Sequence, residues 1–184
     1  LPPRRSSDLG SAVVCAAAGV GMVFASRAAT TLINSFGVRA IVFTGVAAGL
    51  KVGQKIGDIV IGADVVNYEM DVREWVMPGD EHRYAVGELP FLKWRYHEAD
   101  PAMLKLALAV APPEGVAVHS GRIASGSVFL SSEQKIGMQQ SHWDALGGPD
   151  AAEMENAGVA QICRAFSVPY LSLRALSDVR EGDA

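Results

Sequence analysis

The sequence predicts an α/β domain whose mixed, largely parallel sheet is flanked by helices. Three observations predict it. Short apolar runs alternate with segments whose apolar positions recur every three to four residues. The short runs are apolar at consecutive positions, as strands covered on both faces must be. Glycine-rich turns separate the two kinds of segment.

Residues 13–18 are such a run and end at Gly19-Val20-Gly21, a buried strand entering a turn. Over 22–36, Met22, Ala25, Ala29, Ile33 and Phe36 step by three and four, which is one helix face, and Gly37 stands where helices stop. Residues 40–44 form the next strand, closed by Gly45-Val46-Ala47-Ala48-Gly49. Gly57-Asp58 then turns into a strand over 59–66. Residues 67–99 are a long excursion rich in charge, with Trp75 and Trp94. Asp100-Pro101 is a helix start, Asp as N-cap and Pro at the first helical position. That helix ends before Pro112-Pro113, and a strand runs from 116 to 124. Ser131-Ser132-Glu133-Gln134 has capping-box spacing and opens another helix. A helix over 154–166 and a last strand over 168–173 complete the pattern.

Composition narrows the function. The 184 residues suit one domain, and 16 Lys+Arg against 20 Asp+Glu leave a net charge of −4, which argues against charge-driven nucleic-acid binding. No apolar run is long enough to span a membrane. Cys15 and Cys163 lie in apolar, Ala-rich settings and read as two buried free thiols of a reducing cytoplasm. The four histidines lack the spacing of a zinc site.

Each candidate motif has two readings. Gly19-Val20-Gly21 follows a strand and opens a helix, but Phe24 replaces the third glycine of a dinucleotide loop. It is a tight turn or a close backbone approach to a ligand. Gly45–Gly49 lies past a strand end, where open α/β sheets bind ligands, yet packing also asks for small residues there. Glu153 and Glu155 stand at a helix start, where the macrodipole alone favours carboxylates. Two residues apart, they cannot share a helix face, so one points into any site and the other pairs elsewhere. Ser177-Asp178 is a helix cap or a buried acid at a strand's end. Phe129, in a Ser/Gly-rich turn, plugs the core or stacks on a flat ring.

Taken in order, Gly19-Val20-Gly21, Thr44-Gly45-Val46-Ala47-Ala48-Gly49-Leu50, residues 52–60, Met70-Asp71-Val72, Ser125-Gly126, Glu153-Met154-Glu155 and Arg174-Ala175-Leu176-Ser177-Asp178 resemble the methylthioadenosine/S-adenosylhomocysteine nucleosidase family. The larger superfamily holds nucleoside phosphorylases and hydrolases. The resemblance implies their three-layer fold and hydrolysis of the N-glycosidic bond between adenine and a 5′-thio-substituted ribose. That bond breaks through a ribosyl cation, so a site must protonate the purine, stabilise sugar charge and position water. The resemblance gives the acid's role to Asp178, oriented by Ser177. It gives the ribose hydroxyls to Glu155, beside Glu153, with Met154 lining the sugar and thioalkyl end. Phe129 would stack on adenine, and the Leu130 backbone would read its edge. Backbone about Ala48 would flank the ribose. The implied assembly is a cytoplasmic homodimer, the partner closing the thioalkyl pocket at Val72 and Trp75. No metal, cofactor, nucleic acid or membrane is implied.

There are departures. Val46 stands where some members have Ser, Ala48 where Gly is found, and Asn156 where a small residue is common. The family's water-activating Glu follows an N-terminal strand that nothing in residues 1–10 matches, and its final helix would lie beyond Ala184. Residues 3–9 also resemble a translated sequencing adapter. Residues 1–10 are thus expected to be a non-native leader and 11–184 a single domain shortened at both ends. Two alternatives stand beside the hydrolase: a purine nucleoside phosphorylase, for which Arg27 and Arg39 are the nearest phosphate-clamp candidates, and a nucleoside-binding relative without turnover.

Overall fold

Helix α1, Met22–Phe36, forms where the three-four spacing requires it: Ala25 and Ala29 are buried on one face, and Gly37 ends the helix at φ 60°. The structure is a computed structural model and describes residues 4–6, 13–76, 78–79, 81–131 and 142–179. Strand β1, Arg4–Ser6, pairs antiparallel with β2, Val13–Cys15. The strand expected over 13–18 is therefore short. It stands outside the main sheet, and Cys15 is exposed rather than buried; only Cys163 is a core thiol.

The main sheet holds β3 (Ile41–Gly49), β4 (Ile59–Asn67), β5 (His97–Glu98), β6 (Val118–Ser125), β7 (Ala151–Glu153) and β8 (Tyr170–Asp178). Its long pairings, β3 with β8 and β4 with β6, are parallel, as is β6 with β7. β7 meets β3 antiparallel, and β4 pairs antiparallel with both β5 and the first half of β8. The sheet is thus mixed, as expected. β3 and β8 run further than their apolar patterns suggested. Gly45–Gly49 and Ser177-Asp178 are strand, not the turns that follow strands.

Helix α2, Pro101–Leu108, starts on Asp100, whose carboxylate accepts the amides of Ala102 and Met103 at 3.0 and 2.9 Å. Helix α3, Asn156–Ala165, packs against α1. Gly158 allows it: a Cβ there would sit 2.6 Å from the Met22 carbonyl oxygen. The helix expected to open at Ser131 falls on 132–141, outside the described residues. One core lies between α1, α3 and the sheet, around Val60, Ile123 and Val159. A second lies under the excursion, around Tyr68, Trp143 and Leu146.

Gly126 shows how tightly the second core supports the turn after β6. Its added Cβ would lie 2.2 Å from the buried Tyr68 ring, whose hydroxyl donates to the Val128 carbonyl at 3.2 Å. Gly126→Ala is expected to cost about 1–3 kcal/mol as overpacking. Denaturant titration checks it; an unchanged midpoint would contradict it.

His97 adds to the acid sensitivity of the fold. It is buried, and its Nδ1 has no hydrogen-bond partner among the described residues. Burial, helped by the Arg164 charge, pushes its imidazole down to about 4. The unfolded chain takes up a proton near 6.5 that the native state refuses until about 4. This contribution is complete above pH 6.5 and lost as pH falls towards 4, by about 3 kcal/mol. His97→Phe removes the titration without removing a hydrogen bond. Its unfolding free energy should fall less over that window than the wild type's; identical slopes would refute the assignment.

Candidate active site

Neighbouring strands of the sheet bring three backbone positions together. Ala48 on β3 lies opposite Asp178 on β8 and opposite Ala152 on β7. A β-bulge between Ala47 and Ala48 marks the place. A cavity of about 230 Å³ opens there. Its walls include Ala48, Phe129, Leu130, Glu153, Met154, Glu155, Ser177 and Asp178. Eight residues singled out from the sequence, far apart along the chain, thus line one volume. Val46, which replaces a Ser of some family members, lines it too, as do Val20, Val128 and Ala152, to which the sequence assigned no role. Their signal was only adjacency to the motifs that carry the resemblance.

Glu153 and Glu155 divide the work as their spacing requires. Glu153 is buried, and its carboxylate accepts from Arg174 Nη2 at 2.6 Å, Ser125 Oγ at 2.5 Å, and the amides of Glu155 and Asn156 at 2.9–3.0 Å. Burial pushes its carboxyl above the ordinary range, while the Arg174 charge and the Ser125 hydroxyl pull it back. Every group touching it is a donor, so the arrangement suits the ionised form. The side chain borders the cavity, yet its oxygens are engaged within the protein.

Glu155 turns the other way. It occupies the N-cap of α3 without a side-chain capping bond, and its Oε1 accepts the Gly21 amide at 2.8 Å. Gly19 and Gly21 have φ of 86° and 88°, a region that side chains disfavour, so the tight turn is real. It also delivers an amide to the cavity's rim. Glu155 Oε2 has no protein partner among the described residues.

Ser177 Oγ donates to Asp178 Oδ1 at 2.9 Å, at the end of β8. Both residues belong to the strand itself. Phe129 is 83% exposed, so it does not plug the core, while Leu130 beside it is buried. The small residues of β3 have a packing reason. A Cβ on Gly45 would lie 1.9 Å from Arg174 Nη1, and one on Gly49 would lie 2.7 Å from Gln54 Oε1.

Val72 and Trp75 do not line this cavity. Trp75 stacks on Tyr84 with ring centroids 6.4 Å apart, in the excursion. Arg27 and Arg39 are exposed and line no wall of it. Among the described residues, no cluster of three metal-ligating side chains occurs and no helix is long and apolar enough to cross a membrane.

Comparison with known proteins gives this geometry its context. Residues 6–184 match the phosphorylase superfamily. A 5′-methylthioadenosine/S-adenosylhomocysteine nucleosidase from Actinobacillus succinogenes is 32% identical over 95% of this chain and 71% of its own length. The nucleosidase from Neisseria meningitidis, solved with methylthio-immucillin-A, superposes with a TM-score of 0.84 at 32% identity, over 96% of this chain and 72% of that one. The one from Colwellia psychrerythraea, solved with adenine, gives 0.83 at 27%, over 97% and 70%. Futalosine hydrolase from Helicobacter pylori gives 0.81 at 28%, over 96% and 73%. The chain belongs to the 5′-methylthioadenosine/S-adenosylhomocysteine nucleosidase family of the phosphorylase superfamily.

Proposed function

We propose that the protein hydrolyses the N-glycosidic bond of 5′-methylthioadenosine and S-adenosylhomocysteine, releasing adenine in methionine salvage and nucleoside catabolism. The observation that carries this reading is the pair of carboxylates on one cavity: Glu155 on the helix side and Asp178 at the end of β8. Asp178 protonates N7 of the departing purine, with Ser177 orienting its carboxyl. Glu155 holds the ribose hydroxyls through its second oxygen, and its charge steadies the sugar cation. Phe129 and Val128 flank the adenine ring, Leu130 offers backbone to its edge, and Met154 lines the sugar. Glu153 acts through its backbone neighbours.

The active form is a homodimer in the cytoplasm. The second copy closes the thioalkyl pocket with its own Val72 and Trp75. Trp75, Val76 and Phe91 are exposed on that segment, which is what a covered face requires. No metal or organic cofactor takes part.

Adenine release from methylthioadenosine, followed with and without added inorganic phosphate, tests the reaction. Equal release without phosphate is expected. Release only with phosphate would make the protein a phosphorylase, and tight binding without release would make it a nucleoside-binding relative. The position of Arg27 and Arg39 outside the cavity favours the hydrolase.

A further inference from the structure

Alternate residues of β8 share a face, and on this strand they are polar and buried: Tyr170, Ser172 and Arg174. Tyr170 and Ser172 reach the first turn of α3, and Arg174 reaches Glu153 just before it. Tyr170 donates its hydroxyl proton to Asn156 Oδ1. Asn156 Nδ2 donates to Ser172 Oγ at 2.6 Å. The Ser172 side chain stands beside the Tyr170 hydroxyl, so the three side chains form a ring around the Asn156 amide. Asn156 is itself fully buried. Polar groups in a core are costly unless satisfied, and Asn156, Tyr170 and Ser172 satisfy one another.

The ring and the ion pair bracket one short stretch of chain. On one side, Glu153 is fixed by Arg174 and Ser125. On the other, Asn156 is fixed by Tyr170 and Ser172, and its amide returns to both Glu153 oxygens at 2.9–3.0 Å. Between them stand Met154 and Glu155. Glu155 has no side-chain cap bond to hold it in the helix and reaches 2.8 Å from the Gly21 amide instead. Its carboxylate therefore depends on the backbone of its neighbours for direction.

We propose that the Asn156–Tyr170–Ser172 ring is a positioning device that aims Glu155 at the sugar of the bound nucleoside, a role that rests on the nucleosidase reading above. None of the three touches the cavity. They act through the backbone at 155–156, so their removal misdirects Glu155 without altering the purine end of the site. A small apolar residue at 156 would leave that direction to packing alone, whereas the ring admits one arrangement.

The test compares the wild type with Tyr170→Phe and with the triple variant Asn156→Ala, Tyr170→Phe, Ser172→Ala. Removing all the partners together leaves no orphaned polar group, so the triple variant keeps a folded species in hand where the single variant is unstable. Two probes are bound: free adenine, and the 7-deaza analogue of methylthioadenosine, which keeps its ribose hydroxyls and cannot be protonated at position 7. kcat and KM for adenine release are measured alongside. The expected result is a roughly tenfold loss in kcat and a roughly tenfold loss in the preference for the nucleoside over adenine, with adenine affinity within about twofold of wild type. A purely structural ring would lower thermal stability and leave that preference unmoved; unchanged preference and kcat in the folded triple variant overturn the proposal. A wild type that binds adenine and nucleoside but does not cleave refutes the hydrolase alone, since the preference still reads the ring. A wild type that binds no nucleoside refutes both.

Discussion

Asp178→Asn should lower adenine release by about 10²–10⁴-fold, the range that a positioned proton donor contributes. The amide keeps the shape of the carboxyl and can still accept a hydrogen bond from Ser177 Oγ, which lies 2.9 Å from Asp178 Oδ1. It cannot deliver a proton to the purine. Binding should therefore survive: the 7-deaza analogue of methylthioadenosine should bind the variant within a few-fold of wild type. The loss should appear in kcat rather than KM, because the interaction strengthens only as negative charge develops on the leaving base. Stopped-time adenine assays and titration with the analogue check both halves. A variant with near-wild-type kcat would remove Asp178 from the chemistry.

Arg174→Met should cost about 3–5 kcal/mol of folding stability, the range for breaking a buried ion pair from one side. Arg174 and Glu153 are both buried, with a 2.6 Å contact, and the Arg174 guanidinium also lies 4.5 Å from the Phe43 ring centroid. Methionine fills some of that volume but leaves the buried Glu153 carboxyl without its partner. Adding Glu153→Gln should recover part of the loss, because the charge then goes with the cation. Denaturant titration of the two variants measures the difference. Equal instability of single and double variants would mean that packing against Phe43 and Gly45, not the charge, is what Arg174 supplies.

The alternation of strands and helices was readable because it rests on local periodicity. The Met22–Phe36 helix, the Asp100 cap and the Gly37 stop rest on rules acting within one turn. Strand ends were less readable. Gly45–Gly49 carries no β-propensity, and β3 continues through it because β8 pairs alongside and because Arg174 and Gln54 need the missing side chains. β2 looked like a core strand from its apolar run, but nothing in a run of residues says which sheet it will join.

The candidate site divides the same way. Residues such as Glu155, Ser177 and Asp178 were legible as types at strand and helix ends, and the family resemblance ordered them. That eight of them share one cavity depends on the pairing of Ala48 with Asp178 and Ala152, which is long-range. Arg174 and Ser125 were legible as members of the resembling segments, with no role attached to either. Their bonds to Glu153 exist because sheet register brings β6, β7 and β8 together. The Asn156 ring was visible only as a departure from a small residue, since its partners lie 14 and 16 residues away.

The central claim is that this cavity seats an adenine nucleoside with its base at Asp178 and its sugar at Glu155. A crystal structure of the protein with adenine bound tests it most directly. The adenine ring is expected against Phe129, with N7 within hydrogen-bond distance of an Asp178 oxygen and open space toward Glu155 for the ribose. Adenine seated with N7 turned away from Asp178, or bound in the separate cleft bordered by His97 and Arg164, would contradict it.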